Sequence, residues 1–218
     1  MVHAEMPIKE LIRKSIPVFA VLLFFYVLAY SSGYLAGKLN WTNTGSLRQS
    51  GLYKFSSNLE YKVPGYAHLL QGYKKWHDNC RLGYLVQQNA WGLGTLFFIN
   101  NFFVANLTMA VRALFVLPVV LTVFGKFAQG VAFAQTPGAG RMGSVFLLEF
   151  GGYFLTIGAV LNLVFWILFP RGFGLASRKQ AFRSGLELLG CAYLLSGLSI
   201  LIGSILETRF IVRFFSGG

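Results

Sequence analysis

Four stretches of this chain are too long and too apolar for the core of a water-soluble domain. Residues 16–37 carry no charged side chain. Residues 93–135 form a long apolar region interrupted by Asn100, Asn101, Asn106, Arg112, Pro118 and Lys126. Residues 143–169 hold one carboxylate, Glu149, and residues 184–206 hold one, Glu187. A bilayer core of about 30 Å is crossed by about 20 helical residues, and lipid leaves no partner for an unpaired backbone group except within a helix or closed barrel. The region 93–135 is long enough for two crossings, folded as a tight hairpin in which Pro118 breaks or kinks the chain. The expected fold is therefore all-α. It is a polytopic membrane bundle of about five transmembrane helices, with amphipathic interfacial helices, in a single domain spanning 1–218. A four-crossing arrangement follows if 93–135 crosses once and re-enters.

Composition agrees. Of the 218 residues 55% are hydrophobic and 12% charged, where a soluble domain carries roughly a quarter charged. The net charge is +12. No nucleic-acid-binding signature accompanies it, so the basic excess is assigned to loops that meet anionic headgroups, and no nucleic acid is expected as a partner. The first apolar run is too long for a signal-peptide core and is read as a retained transmembrane helix. Cys80 falls in a polar loop and Cys191 in a span, which makes a disulfide between them improbable.

The polar segments carry their own pattern. Residues 1–15 read as a short amphipathic lead, with Ile8, Leu11 and Ile12 opposite Lys9, Arg13 and Lys14. The segment 38–93 holds seven Lys and Arg against Glu60 and Asp78. Within it, apolar or aromatic residues at 66, 69, 70, 73, 76, 80 and 84 make one helical stripe, and Pro64 suits the start of that helix. Lys74, Lys75, Asp78 and Arg81 lie mainly on the opposite side. Such a helix either floats at headgroup depth with Trp76 as its anchor or packs over the bundle by the same stripe. Residues 136–142 are a turn. The loop 170–183 has four positive charges and no acid, which places it in the cytoplasm by the positive-inside rule. Five crossings then put the N-terminus there too, and the basic segment 38–93 outside.

Glu149 is the strongest candidate site. A charged carboxylate inside the bilayer costs several kcal/mol, so it must face the bundle, take a proton, or find a partner. Candidate partners are Arg112, Lys126, Asn100 and Asn101. The functional reading is a proton or substrate site, and the structural one is a polar tie between helices. Gly33, Gly37, Gly151, Gly152 and Gly158 are candidate points of close helix contact. Glu207, near an interface, and Glu187, four residues after Arg183, read as boundary charges. His68, His77, Asp78 and Cys80 do not combine at metal-ligand spacing, and no metal is expected. Asn40 and Asn106 each begin a glycosylation-type triplet. No catalytic constellation emerges.

Taken in order, a first span ending SSGYLAG, an amphipathic loop, FFINNFFVANL, a long span with an embedded glutamate, and a last span ending SILIGSILETRF make a pattern. It resembles the SpoIIM family, stage II sporulation protein M and its prokaryotic relatives. Asn100 and Asn101 match the family's Asn-Asn feature, Glu149 its membrane glutamate, and Gly203, Ser204 and Glu207 its terminal feature. The chain departs from the family where GSVFLLEFGG lacks a His-Gly pair before the glutamate and a Pro after it. The family's third-span Asn-Gly pair reads Gly125-Lys126 here. The resemblance implies a polytopic protein of the prokaryotic cytoplasmic membrane that scaffolds other membrane proteins and is not an enzyme. No cofactor is required under this reading, although bound lipids are expected, and a homo-oligomer is compatible with it. The alternative is a transporter or permease subunit coupled through Glu149.

Overall fold

The computed structural model describes residues 7–50, 66–113, 117–136 and 142–215. Every regular element among them is helical. In chain order these are α1 (Ile8–Lys38), α2 (Thr44–Gln49), α3 (Tyr66–Val86), α4 (Ala90–Phe98), a π-helix (Ile99–Asn106), α5 (Leu107–Ala113), α6 (Leu117–Gln135), α7 (Gly143–Leu168), a short 3-10 turn (Pro170–Phe173) and α8 (Arg178–Phe215). Four stretches are long and apolar enough to cross a membrane: α1, the run Ala90–Ala110, α7, and Arg178–Arg213 within α8.

The amphipathic lead is not a separate helix. Its described part belongs to α1, which runs on through Pro17. Proline removes one backbone donor from the ladder, a loss that helices in lipid tolerate when neighbours pack around the break. The reason for the continuity is tertiary. Leu11 is buried with Trp166, Leu175 and Ala181, so the start of the helix belongs to the core. Lys14 Nζ donates to the carbonyls of Phe173 at 2.7 Å and Gly174 at 3.3 Å, in the turn between α7 and α8. Gly174 has φ +64°, the left-handed conformation that glycine adopts without strain.

α7 is the centre of the bundle. In its most apolar window 61% of residues are buried, against 22% for α1 and 33% for α8. The core gathers Leu22, Tyr26, Ala113, Tyr153, Ile157, Val160, Leu161 and Ile200 from four helices. A ladder of rings joins α1 to α7: Phe19 with Phe154, Tyr26 with Phe150, Tyr30 with Phe146. Rising numbers in α1 meet falling numbers in α7, so these helices are antiparallel. The same test makes α7 antiparallel to α8, since Gly203 meets Val145 and Leu148 while Gly185 meets Leu163. It also makes α1 parallel to α6, since Lys126 sits over Tyr26 and Gln135 bonds Thr42 and Thr44.

The glycines set how closely these helices approach. A Cβ on Gly33 would run into the backbone of Phe127, and one on Gly130 into the backbone of Tyr30 and Tyr34. Gly37 faces Val131 and Ala134, Gly152 faces Ile200 and the Ser196 carbonyl, and Gly158 faces the Phe19 ring. Gly151 does not belong with them. A Cβ there would meet only Ser199 Oγ, at an ordinary 3.9 Å, because one residue's rotation turns it off the seam that Gly152 occupies.

The 38–93 segment holds α2 and α3. Asn43 caps α2 by accepting from Ser46 N at 2.8 Å, while Ser46 Oγ accepts from Asn43 N. On α3, Tyr73, His77, Cys80 and Tyr84 are partly buried, and the helix packs on α4. The stripe therefore faces the bundle, with Trp76 at its margin, 48% exposed. Lys74, Lys75 and Arg81 face outward. Pro64 and the expected turn at 137–141 lie outside the described residues.

Candidate functional site

The carboxylate of Glu149 is the terminus of a directional hydrogen-bond chain. Asn101 Nδ2 donates to Glu149 Oε1 at 2.5 Å. Asn100 Nδ2 donates to Asn101 Oδ1 at 3.0 Å, and the Tyr73 hydroxyl donates to Asn100 Oδ1 at 3.2 Å. Every donor points toward the carboxylate. Four side chains from α3, the π-helix and α7 are joined in one line, from a surface helix into the bundle. Burial pushes the Tyr73 phenol up, which holds its hydroxyl in the donor form.

The π-helix makes the middle of this chain possible. A π-helix of this length is uncommon, and widened turns recur at functional sites. Phe102 on it stacks with Phe98 of α4 at 5.3 Å and contacts the Tyr193 ring at 4.6 Å. Those rings fix one face of the segment against α8. The consecutive residues Asn100 and Asn101 are then held side by side toward α3 and α7.

Glu207 completes the site from α8. It lies within electrostatic reach of Glu149 and of Arg81 on α3. Tyr153, one turn along α7 from Glu149, is within reach of both acids. Gly203 leaves room beside Glu149, since a Cβ there would stand 3.2 Å from Glu149 Cγ. Glu207 is thus more than a boundary charge, and the antiparallel packing of α7 on α8 brings it to Glu149. No spacing rule links positions 149 and 207.

Two expected partners behave differently. Lys126 is 2% exposed, yet it pairs with no carboxylate among the described residues. Its ammonium donates to Gln129 Oε1 at 3.0 Å and sits over the rings of Phe150 at 4.6 Å and Tyr26 at 5.6 Å. The positive charge is met by ring faces rather than by Glu149. Arg112 lies on α5, and its side chain is outside the described residues, as is that of His68.

Other polar groups sit deeper. Asn106, which begins a glycosylation-type triplet, is fully buried and donates to Ser196 Oγ at 2.9 Å, so it is a helix tie and not an exposed acceptor. Asn162 Nδ2 turns back to the Gly158 carbonyl at 2.8 Å. Ser199 Oγ donates to the Leu148 carbonyl at 2.7 Å, beside the site. At the far end Arg183 and Glu187 pair at 3.2 Å as their spacing predicts. His77 Nδ1 lies 3.6 Å from Asp78 Oδ1 on α3.

Comparison with family models, with curated proteins and with solved structures finds no match to this chain.

Proposed function

We propose that this chain is a non-enzymatic integral membrane scaffold, or accessory subunit of a larger membrane complex, of the SpoIIM type. The observation that carries the reading is the bond from Asn101 to Glu149. An acid held by a chain of uncharged donors ties helices together and does not stand open to a substrate. Apolar outer faces support it. On α1, Phe24, Phe25, Val27 and Leu28 are about half exposed or more, and on α8 Leu194 and Leu198 are 72% and 59% exposed. These faces suit lipid and neighbouring membrane proteins equally.

The topology belongs to this proposal. α6 has 19 residues, about 28 Å of helix at 1.5 Å per residue, close to the hydrocarbon thickness. It runs parallel to α1, as a third crossing must run parallel to the first. With the Ala90–Ala110 run antiparallel to α8 through Gly94–Thr208 and Asn106–Ser196, five crossings alternate in direction. The membrane we assign is the prokaryotic cytoplasmic membrane, on the SpoIIM resemblance.

Purification from native membranes in a mild detergent, followed by mass determination of the intact particle, tests the reading. A reproducible assembly larger than the 24.2 kDa chain is expected. A monomer, or a dimer of the chain alone, refutes it. A second reading, an ion-coupled transport subunit, draws on Glu207 standing near Glu149. Flux into liposomes that is abolished by Glu149→Gln would favour it.

A further inference from the structure

We propose that Glu149 and its hydrogen-bond chain form a proton-controlled latch for the surface helix α3. With the carboxylate charged the helix is docked, and with the carboxylate protonated it is released. This inference is independent of the scaffold reading.

The direction of the chain is the first argument. Tyr73, Asn100 and Asn101 each offer a donor toward Glu149, and each amide oxygen is used by the donor behind it. A line of this polarity stabilises a negative terminus. Hydrogen bonds to an ionised acceptor are roughly twice as strong as neutral ones, and bonds in a chain polarise one another. A proton from solvent that binds a Glu149 carboxylate oxygen neutralises the acceptor. The bond from Asn101 weakens, and so does the pull on Asn100 and Tyr73. No other reactant is needed.

The position of α3 suits it to release. It lies outside the apolar bundle and packs on α4. Its outward face is charged, and Leu82 and Val86 are 58% and 84% exposed. Tyr73 is a side-chain tie from this helix into the bundle. Arg81, also on α3, acts electrostatically on Glu207, and so does Glu149. The hydrogen-bond line thus ties the helix to Glu149, and Arg81 adds an attraction to the neighbouring Glu207. Glu149 itself is only partly buried.

The titratable and polar groups that face Glu149 come from three elements. Asn101 faces it from the π-helix, Tyr153 from α7 and Glu207 from α8. Lys126 on α6 sits over the Phe150 ring and donates to Gln129 rather than to Glu149. On α3, Arg81 acts on Glu207, while His77 Nδ1 and Asp78 Oδ1 lie 3.6 Å apart.

The test measures the distance from α3 to the bundle. In the full chain with Cys80→Ser and Cys191→Ser, nitroxide labels go on Gln71→Cys of α3 and Leu147→Cys of α7, both exposed positions. The protein sits in neutral phosphatidylcholine liposomes with the same buffer on both sides. At pH 8 one narrow distance is expected. At pH 5 a second, broader population appears, and the docked-to-released ratio falls roughly tenfold, equivalent to about 1.4 kcal/mol. In Glu149→Gln, which is neutral at both pH values, the broad population is present throughout and the ratio no longer depends on pH. Tyr73→Phe breaks the line without touching the acid and must shrink the pH response severalfold. That variant decides the matter if Glu149→Gln does not fold. An unchanged narrow distance between pH 8 and pH 5 overturns the latch. A pH response that survives intact in Glu149→Gln overturns it too, and assigns the change to His77, Asp78 or Glu207.

Discussion

The seam between α1 and α6 makes a strict prediction at Gly130. Replacing this glycine with alanine puts a Cβ 2.8 Å from Tyr34 N and 3.1 Å from Tyr30 C, and closer still to the Tyr30 carbonyl oxygen. Ordinary contact begins near 3.4 Å. The obstructing atoms are backbone, so no rotamer change relieves them, and the helices must separate by at least about 0.6 Å, the difference between 3.4 and 2.8 Å. A gap of that size forfeits a quarter to a half of each van der Waals contact it opens. The loss extends along the seam to Gly33, Gly37 and the Tyr30–Phe133 ring pair. We expect Gly130→Ala to destabilise by about 3 kcal/mol, the upper end for overpacking. Gly125, on the same helix, has open space at its Cβ, so Gly125→Ala is the internal control and should be neutral or stabilising. Reversible unfolding of both variants in a mild detergent measures the difference. If the two agree within about 0.5 kcal/mol, α6 is not packed on α1 in this register.

The buried amine gives a second prediction. Lys126→Met should leave stability unchanged or raise it by about 1 kcal/mol, because removing a buried charge outweighs its contacts with Phe150 and Tyr26, whereas Lys126→Glu should prevent folding. A loss above about 2 kcal/mol in Lys126→Met, read from the same unfolding assay, would show that the ammonium is needed. Asn106 and Ser196 should couple by about 1 kcal/mol in a double-mutant cycle with Ala, within the range of interhelical hydrogen bonds in lipid, and a coupling near zero would dissolve that tie. Lys14→Ala should free the 169–177 turn, lowering stability by about 1 kcal/mol and raising proteolysis after Arg171. Unchanged cleavage there would mean the contact does not order the turn.

The segment after residue 177 shows how far one-dimensional pattern reaches. Residues 184–206 form an apolar run in the sequence, and α8 contains it, since twenty-odd apolar residues in lipid have little alternative to helix. The continuous helix from Arg178 to Phe215 is longer because its polar ends are also held. Ala181 is buried with Trp166, and Thr208 Oγ1 donates to the Ser204 carbonyl at 2.8 Å. The start of α1 shows the opposite case. The change from amphipathic to apolar pattern at residue 16 suggested a boundary between a lead and a span, yet packing of Leu11 in the core carries one helix across it and through Pro17.

The candidate site divides in the same way. That Glu149 needs a partner, and that Asn101 was eligible, follows from the cost of a charge in lipid, which is a property of residue type and depth. The sequence by itself determined the helical class, the membrane setting and the position of the costly carboxylate, because each rests on local hydrophobicity along one dimension. Which partner Glu149 takes was decided only when α3, the π-helix, α7 and α8 were brought together. Asn101 prevailed over Lys126 because α6 aims its lysine at the rings of Tyr26 and Phe150. Glu207 joined from 58 residues away because α7 and α8 are antiparallel. Helix rotation and crossing distance are set by interdigitating side chains and by glycines such as Gly130, and neither quantity is written in periodicity.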